Sequence, residues 1–300
     1  MEAQKRPPAW MILGAFAIIY FVWGSTFLAI RVGVREVPPF LYAALRFLIA
    51  GLLLYGWVMA RGGKSPSGRQ WASIFGLAVL IFLLDYGLLF WAEQRVPSGL
   101  AAVMLATIPM FTALAEMAIL GTQKMTARLA GALAIGLCGV AVLVSRSLNL
   151  GGAAIDRAGA IALIVAAISW SISSALMRKV PLPESKAMNS GAQMLAGGVL
   201  LAVTSAGLGE FPNFHPAAVS LKTWLALLYL ILAGSVLAFT AYVWLIHHES
   251  PTKVGTYAYV NPAVAVLIGY FFGGEELGAR TILGTLCVLV SVVLITTARR

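Results

Sequence analysis

The sequence predicts an all-α integral membrane protein, with ten transmembrane helices arranged as two inverted five-helix repeats around a central cavity. Three observations lead there. The first is composition: the 300 residues are 60% hydrophobic and 11% charged, with a mean hydropathy of +0.91. A soluble domain is about 45–50% apolar and about 25% charged. The second is that the apolar residues gather into ten runs of membrane length. The third is that the first five runs return, in order, as the second five.

A bilayer core takes about 20 apolar residues of helix. Runs of that kind cover roughly 10–31, 38–60, 71–92, 98–120, 127–145, 158–178, 187–207, 222–246, 253–273 and 279–298. Turn-forming chemistry separates them: Pro38-Pro39, the stretch RGGKSPSGR at 61–69, Pro97-Ser98, Gly151-Gly152 and PLPES at 181–185. Lys5 and Arg6 precede the first run. That run is longer than a signal-peptide core of about 7–15 residues, so it reads as a retained helix.

Basic residues set the direction. With the N-terminus in the cytoplasm, that side collects Arg61, Lys64, Arg69, Arg178, Lys179, Lys186 and the basic termini, while the outer side holds fewer, among them Arg31, Arg35, Arg95 and Lys222. Lys and Arg favour the cytoplasmic side. Both termini are therefore expected in the cytoplasm, in a multi-pass protein of a bacterial plasma (inner) membrane. The acidic residues lean outward (Glu36, Glu93, Asp156, Glu210, Glu275, Glu276) but carry little weight in this rule. A formal net charge of +10 raises nucleic acid as a partner. The charges sit in short loops between apolar runs, which excludes it.

The repeat is carried by an ordered series of matches. WGSTFLAIR from Trp23 aligns with WSISSALMR from Trp170, bringing Arg31 onto Arg178. The same register aligns AALRFLIAGLLL from Ala43 with SGAQMLAGGVLL from Ser190. After an insertion near GEFPNFHP at 209–216, Trp91 meets Trp244, Pro109 meets Pro262, Gly121 meets Gly274 and Gly131 meets Gly284. Each repeat holds five spans, an odd number, so the second enters the membrane from the opposite side. The division falls at 1–148 and 149–300. Inverted repeats are a transporter architecture, with the substrate site near the midplane between the halves.

Trp23-Gly24, Arg46-Phe47, Pro109, the glycines Gly131, Gly136 and Gly139, and the set Pro262, Gly274-Glu275 and Gly284 together resemble EamA-type members of the drug/metabolite transporter superfamily. The resemblance covers nearly the whole chain. Within the superfamily the sequence is most similar to bacterial YddG-type exporters of aromatic amino acids. This implies two EamA repeats and outward carriage of small metabolites. One corner departs from the family pattern: Gly121 is followed by Thr122, whereas the second repeat keeps Gly274-Glu275.

The expected substrate wall is aromatic and hydroxylic. Tyr20, Trp23, Gly24 and Phe27 fall on one face of the first helix, beside Ser25 and Thr26. Trp170, Ser173 and Ser174 form the matching patch on the sixth. Tyr257 and Asn261 are four apart on the ninth, and Tyr86 and Tyr242 complete the set. Aromatic faces stack on planar rings and attract ammonium groups. Such a wall suits a neutral or aromatic amino acid, moved by alternating access at a midplane cavity. Other metabolites and amphipathic drugs are the alternative cargo. Small polar residues also serve close helix packing, which is the plainer reading of Ser25 and Thr26. Trp10, Trp71, Trp91 and Trp224 lie near span ends and belong to an aromatic belt.

Three charges lie inside spans. Arg46 and Asp85 sit at similar depth and are expected to pair or share a polar network; Asp85 could hold a proton or a substrate amine, or the pair could be structural. Glu116 can reach toward Lys124. No cofactor is implied. His215, His247 and His248 fall on opposite sides of the membrane, and adjacent histidines cannot point the same way on a helix, so no metal site follows. Cys138 and Cys287 read as packing residues. A lipid-modifying membrane enzyme would need converging acid–base groups, a channel would need a ring of charges, and an ATP-driven pump would need a phosphate-binding loop. The sequence offers none of these, so the chain reads as a carrier and not an enzyme. Its implied partners are a small-molecule substrate and membrane lipids.

Overall fold

A computed structural model describes residues 7–121, 125–144, 156–212, 214–248, 254, 257–276 and 278–297. Connections are short and helices dominate. In chain order they are α1 (Ala9–Gly33), α2 (Pro39–Ala60), α3 (Gly68–Ala92), α4 (Ser98–Leu120), α5 (Ala127–Val144), α6 (Arg157–Leu176) and α7 (Lys186–Gly207). Next comes α8, built from Leu221–Tyr229, Leu230–Leu237 and Ala238–His248, then α9 (Tyr257–Gly273) and α10 (Ala279–Thr297). The division expected at 148/149 lies outside the described residues.

Ten membrane-crossing helices were expected. Among the described residues, six are long and apolar enough to cross: α1, α2, α3, α4, α6 and the Leu221–Tyr242 part of α8. Apolar stretches at Ala127–Val142, Val260–Gly273 and Thr281–Leu294 are shorter. Helix α7 has 22 residues but is not among the six. Its buried side carries Gly191, Gln193, Gly197, Gly198 and Ser205, residues that pack against protein and lower the mean hydropathy.

Helix starts have local causes. Ser67 and Gln70 form a reciprocal capping box at α3, satisfying backbone donors that the first turn leaves free. Asp156 accepts from Gly159 N at α6, Ser185 from Met188 N at α7, and Ser220 from Thr223 N at α8. Helix α4 breaks at Ala106-Thr107 and restarts with Pro109 in its first turn, where a missing N–H costs nothing. Pro262, its match in the repeat, lies inside an unbroken α9. Gly121 and Gly274 both take left-handed backbone, φ +64° and +65°, a conformation glycine adopts without a Cβ penalty. Wide π-type turns occupy Val79–Gly87 of α3 and Leu230–Leu237 of α8, corresponding places in the two repeats.

The helix pairings have the pattern expected of an inverted repeat. Helix α2 packs along α7 and α5 along α10, each pair joining equivalent helices. Helix α1 packs on α9 as α6 does on α4, and α8 on α1 as α3 does on α6. The α2–α7 crossing is the tightest. A Cβ on Gly51 would come 2.7 Å from Leu195 N, and one on Gly198 would come 2.7 Å from Leu48 N. The repeat register relates Gly51 to Gly198 and Leu48 to Leu195, so the two contacts are exchanged by the pseudo-two-fold axis. Small residues let backbones approach this closely, and dispersion between the helices is then the main attraction. At α5–α10, a Cβ on Gly139 would fall 2.8 Å from Cys287 Cβ and 3.0 Å from Gly284 O. Lipid-facing surfaces keep large apolar side chains exposed, such as Phe271, Phe272, Val203 and Ile161. Trp10 and Trp224 are exposed near helix ends, where an aromatic belt places them.

The clash at the α2–α7 crossing is with backbone and cannot be relieved by a rotamer change. Gly51→Leu and Gly198→Leu are each expected to destabilise the protein by about 1–3 kcal/mol or more, as overpacking does. Thermal unfolding in detergent checks this, with the lipid-facing Val203→Leu as a neutral control.

Candidate functional site

Two aromatic clusters are linked through one buried arginine and the Gly234-Ser235 pair of α8. In the first, the Trp23 ring centroid lies 5.4 Å from Tyr242 and 5.2 Å from Tyr257, with Tyr242 and Tyr257 5.9 Å apart. The Trp23–Tyr257 and Tyr242–Tyr257 contacts are edge-to-face, a favoured geometry for ring quadrupoles. Trp23 Nε1 donates to Gly234 O at 3.1 Å, tying α1 to α8. The Asn261 amide, oriented by its partners, donates to Tyr20 O at 3.1 Å and Tyr257 O at 3.3 Å. Gly24 opens the room for this: a Cβ there would fall 2.7 Å from Val264 Cβ on α9.

The second cluster joins α2, α3 and α6. Phe47 lies 4.8 Å from Phe82 and 4.6 Å from Tyr86, and Tyr86 lies 6.2 Å edge-on from Trp170. Arg46 sits between the clusters at 3% exposure. Its guanidinium carbon is 4.8 Å from the Phe47 ring centroid and 5.4 Å from that of Tyr86, within cation–π range. Arg46 Nε donates to Ser235 Oγ at 3.1 Å, the residue after the Gly234 that holds Trp23. Its Nη1 is buried without a hydrogen-bond partner.

The expected side-chain set therefore assembles in part. Tyr20, Trp23, Tyr242, Tyr257 and Asn261 come together on one side, and Tyr86 and Trp170 on the other. The hydroxyls behave differently. Thr26 Oγ1 donates to Trp23 O, and Ser173 and Ser174 both donate to Trp170 O, so each is satisfied by its own helix. Ser25 donates to Val22 O and also bonds the Tyr229 hydroxyl. Ser169 and Ser171, part of the small polar run around Trp170 expected to face a cavity, instead stitch α6 to Leu80 O of α3 and Ile108 O of α4.

No ion pair joins Arg46 to Asp85. On α3 it is Tyr86, the residue after Asp85, whose ring lies under the guanidinium. Asp85 is 3% exposed, and its Oδ1 is buried without a hydrogen-bond partner. Glu116 pairs with Arg178, in the turn after α6, at 3.3 Å; Lys124 lies outside the described residues. His248 Nδ1 lies 2.8 Å from Trp244 O, with its ring stacked on Trp244 at 4.3 Å. The rest of the His247-His248-Glu249 triplet lies outside the described side chains. Among the described residues, no group of three or more His, Cys, Asp or Glu could hold a metal.

The outer acids have a structural role that composition did not reveal. Glu36 accepts from Ser220 N at 2.8 Å and Ser220 Oγ at 2.9 Å, at the start of α8. Glu210 accepts from Leu41 N at 2.8 Å at the start of α2, and from Ser205 Oγ at 2.7 Å. Glu275 accepts from Ser98 N and Ser98 Oγ, both at 2.6 Å, and from Gly99 N at 2.9 Å, at the start of α4. Carboxylates are favoured at helix N-termini, where free N–H groups and the helix dipole meet. The helices served are α2, α4 and α8, each by a carboxylate from a distant segment. Hydrogen bonds from Ser220, backbone first, hold the Glu36 carboxyl below its usual range.

Comparison with known proteins defines the class. The EamA-like transporter family model matches residues 9–145 and 157–297, and the chain belongs to that family. It is a membrane transporter of small molecules, not an enzyme. It is 40% identical over 287 residues to the uncharacterized inner membrane transporter YedA of Escherichia coli strain K12, covering 95% of this chain and 90% of the relative. It is 25% identical to protein PecM of Dickeya dadantii, covering 91% of this chain and 88% of that one. One solved crystal structure shares the fold, with a TM-score of 0.60 at 22% identity, covering 97% of this chain and 98% of the other.

Two measurements test the geometry. Ser235→Ala leaves Arg46 Nε buried and unpaired and is expected to destabilise by about 1–3 kcal/mol. Combined with Arg46→Met the loss should be less than the sum, read as a coupling in a double-mutant cycle of unfolding free energies. Glu36 has a depressed folded-state pKa, so its contribution is present above the usual carboxylate range and lost as pH falls through the depressed value. The protection of the Ser220 amide, its exchange corrected for the intrinsic pH dependence, should fall on acidification over that window, and Glu36→Gln should remove the dependence.

Proposed function

We propose that the chain is a ten-helix carrier of the bacterial inner membrane, built as EamA repeats at 1–148 and 149–300, with both termini in the cytoplasm. It exports small metabolites, chiefly neutral and aromatic amino acids, by alternating access through the site between the repeats. The observation that supports this reading is that the Phe47–Tyr86–Trp170 cluster packs on Arg46, whose partner Ser235 adjoins the Gly234 that holds Trp23 of the Trp23–Tyr242–Tyr257 cluster. Its chemistry fits an α-amino acid: aromatic faces for the side chain, and a guanidinium with a free Nη1 for the carboxylate. The likeness to YddG-type exporters supports the same cargo class. Rocking of one bundle against the other would open the site to each side in turn.

A second reading has its own observation. A groove of about 380 Å³ opens sideways between α1, α8 and α9, lined by Leu28, Val32, Ile268 and Phe272 with Lys222 at one end. That surface would admit amphipathic compounds from the bilayer.

Labelled phenylalanine flux in proteoliposomes tests the main reading. Saturable flux is expected in the wild type, reduced about tenfold or more in Trp23→Ala and Trp170→Ala, which matches a loss of about 1.4 kcal/mol or more from binding. Folded protein that moves amphipathic compounds but not phenylalanine would select the groove instead.

A further inference from the structure

Glu93, in the turn between α3 and α4, breaks the pattern of the outer acids. Glu36, Asp156, Glu210 and Glu275 each accept hydrogen bonds at a helix N-terminus. Glu93 is 1% exposed, and both of its side-chain oxygens are buried without a hydrogen-bond partner.

Its surroundings hold too little positive charge to compensate it. Arg31, at the end of α1, donates to the backbone carbonyls of Glu93 and Val96, pinning this turn. Its Nε lies 3.5 Å from Glu275 Oε1, so its charge is already shared with a carboxylate. Glu275 follows α9 and is otherwise filled by Ser98 and Gly99. The other charged groups acting on Glu93 are Glu275 itself and, more weakly, Arg46 of α2, whose Nε bonds Ser235 and which makes no hydrogen bond to Glu93. On its own turn, Arg95 stacks outward on Trp91 and Gln94 bonds Val34 O. One nearby arginine thus faces two carboxylates, and only one of these has its hydrogen bonds. Burying an ion without partners costs several kcal/mol, so such a group takes a proton instead. Burial pushes the Glu93 carboxyl well above its usual range and Glu275 adds to the rise, while Arg31 pulls it down.

Resting on the alternating-access reading, we infer that Glu93 is a proton-binding site that links closure of the outer end to proton uptake. When α1, the α3–α4 turn and the end of α9 meet, the Glu93 carboxylate takes one proton from outer water and is buried as the neutral acid. When they part, water reaches the carboxyl, the O–H bond breaks and the proton returns to that water. The sign follows from the raised value in the shut state: closure is favoured at low pH and lost as pH rises through that value.

The test reads the outer end directly and needs no substrate. Spin labels go on the exposed residues Arg35→Cys and Glu276→Cys, with Cys138→Ser and Cys287→Ser, in lipid nanodiscs between acid and alkaline pH. In the wild-type background the longer distance should gain population as pH rises. Glu93→Gln, a permanent neutral mimic, should stay at the short distance throughout, and Glu93→Asp should restore the transition. A wild-type distance that ignores pH overturns the inference without any variant, and so does a transition that survives Glu93→Gln. Absence of phenylalanine flux with the distance change intact would instead count against the cargo assignment alone.

Discussion

The close crossing of α2 and α7 is the constraint on which the rest depends. It joins the two repeats through contacts that the pseudo-two-fold axis exchanges, Gly51 on Leu195 and Gly198 on Leu48. With no Cβ on either glycine the two backbones come into contact, and that fixes where Arg46 and Phe47 stand on α2. From there Arg46 reaches Ser235 on α8, and Phe47 packs on Phe82 and Tyr86 of α3. The α2 members of the site are therefore positioned by glycine packing on α7.

A second principle orders the ends of the molecule. Helices leave backbone N–H groups free at their starts, and this chain fills several with carboxylates from distant segments. Glu36 serves α8, Glu210 serves α2 and Glu275 serves α4, each across a helix boundary. These contacts tie the first repeat to the second at one face. The positive φ of Gly274 turns the chain so that Glu275 can reach back to Ser98. A midplane held by packing and an end held by charge-assisted hydrogen bonds respond to different conditions, the second to pH far more than the first.

Much of this was legible in the sequence. Hydropathy summed over about 20 residues is a strong signal, so helix positions emerged within a few residues. The repeat was visible because Trp23 and Trp170, or Gly121 and Gly274, kept their order. Helix α7 was the weak case: residues that pack against α2 need not be apolar, and hydropathy does not register a glycine contact. Direction around a helix was not legible: Arg46 and Asp85 were expected to pair, yet Tyr86 is the α3 residue that faces the arginine. The hydroxyls misled for another reason, since a serine in a helix can bond its own backbone, as Ser173 and Ser174 do. The partners of Glu36 and Glu210 were hidden because they lie far away in the chain, at helix starts that only the assembled fold brings near.

The crossing also has a consequence for how the protein is made. Gly51 enters the membrane with the first helices, but Leu195 and Gly198 follow well over a hundred residues later. At about 5–20 residues per second, the notched face of α2 waits roughly 7–30 s for the helix that fills it. Arg46 waits longer still for Ser235. During that interval a charged side chain in a nascent helix has only lipid, water defects or the insertion machinery for company. The first half cannot mature ahead of the second, and a ribosome stalled between α5 and α7 would leave behind an unfinished and vulnerable intermediate.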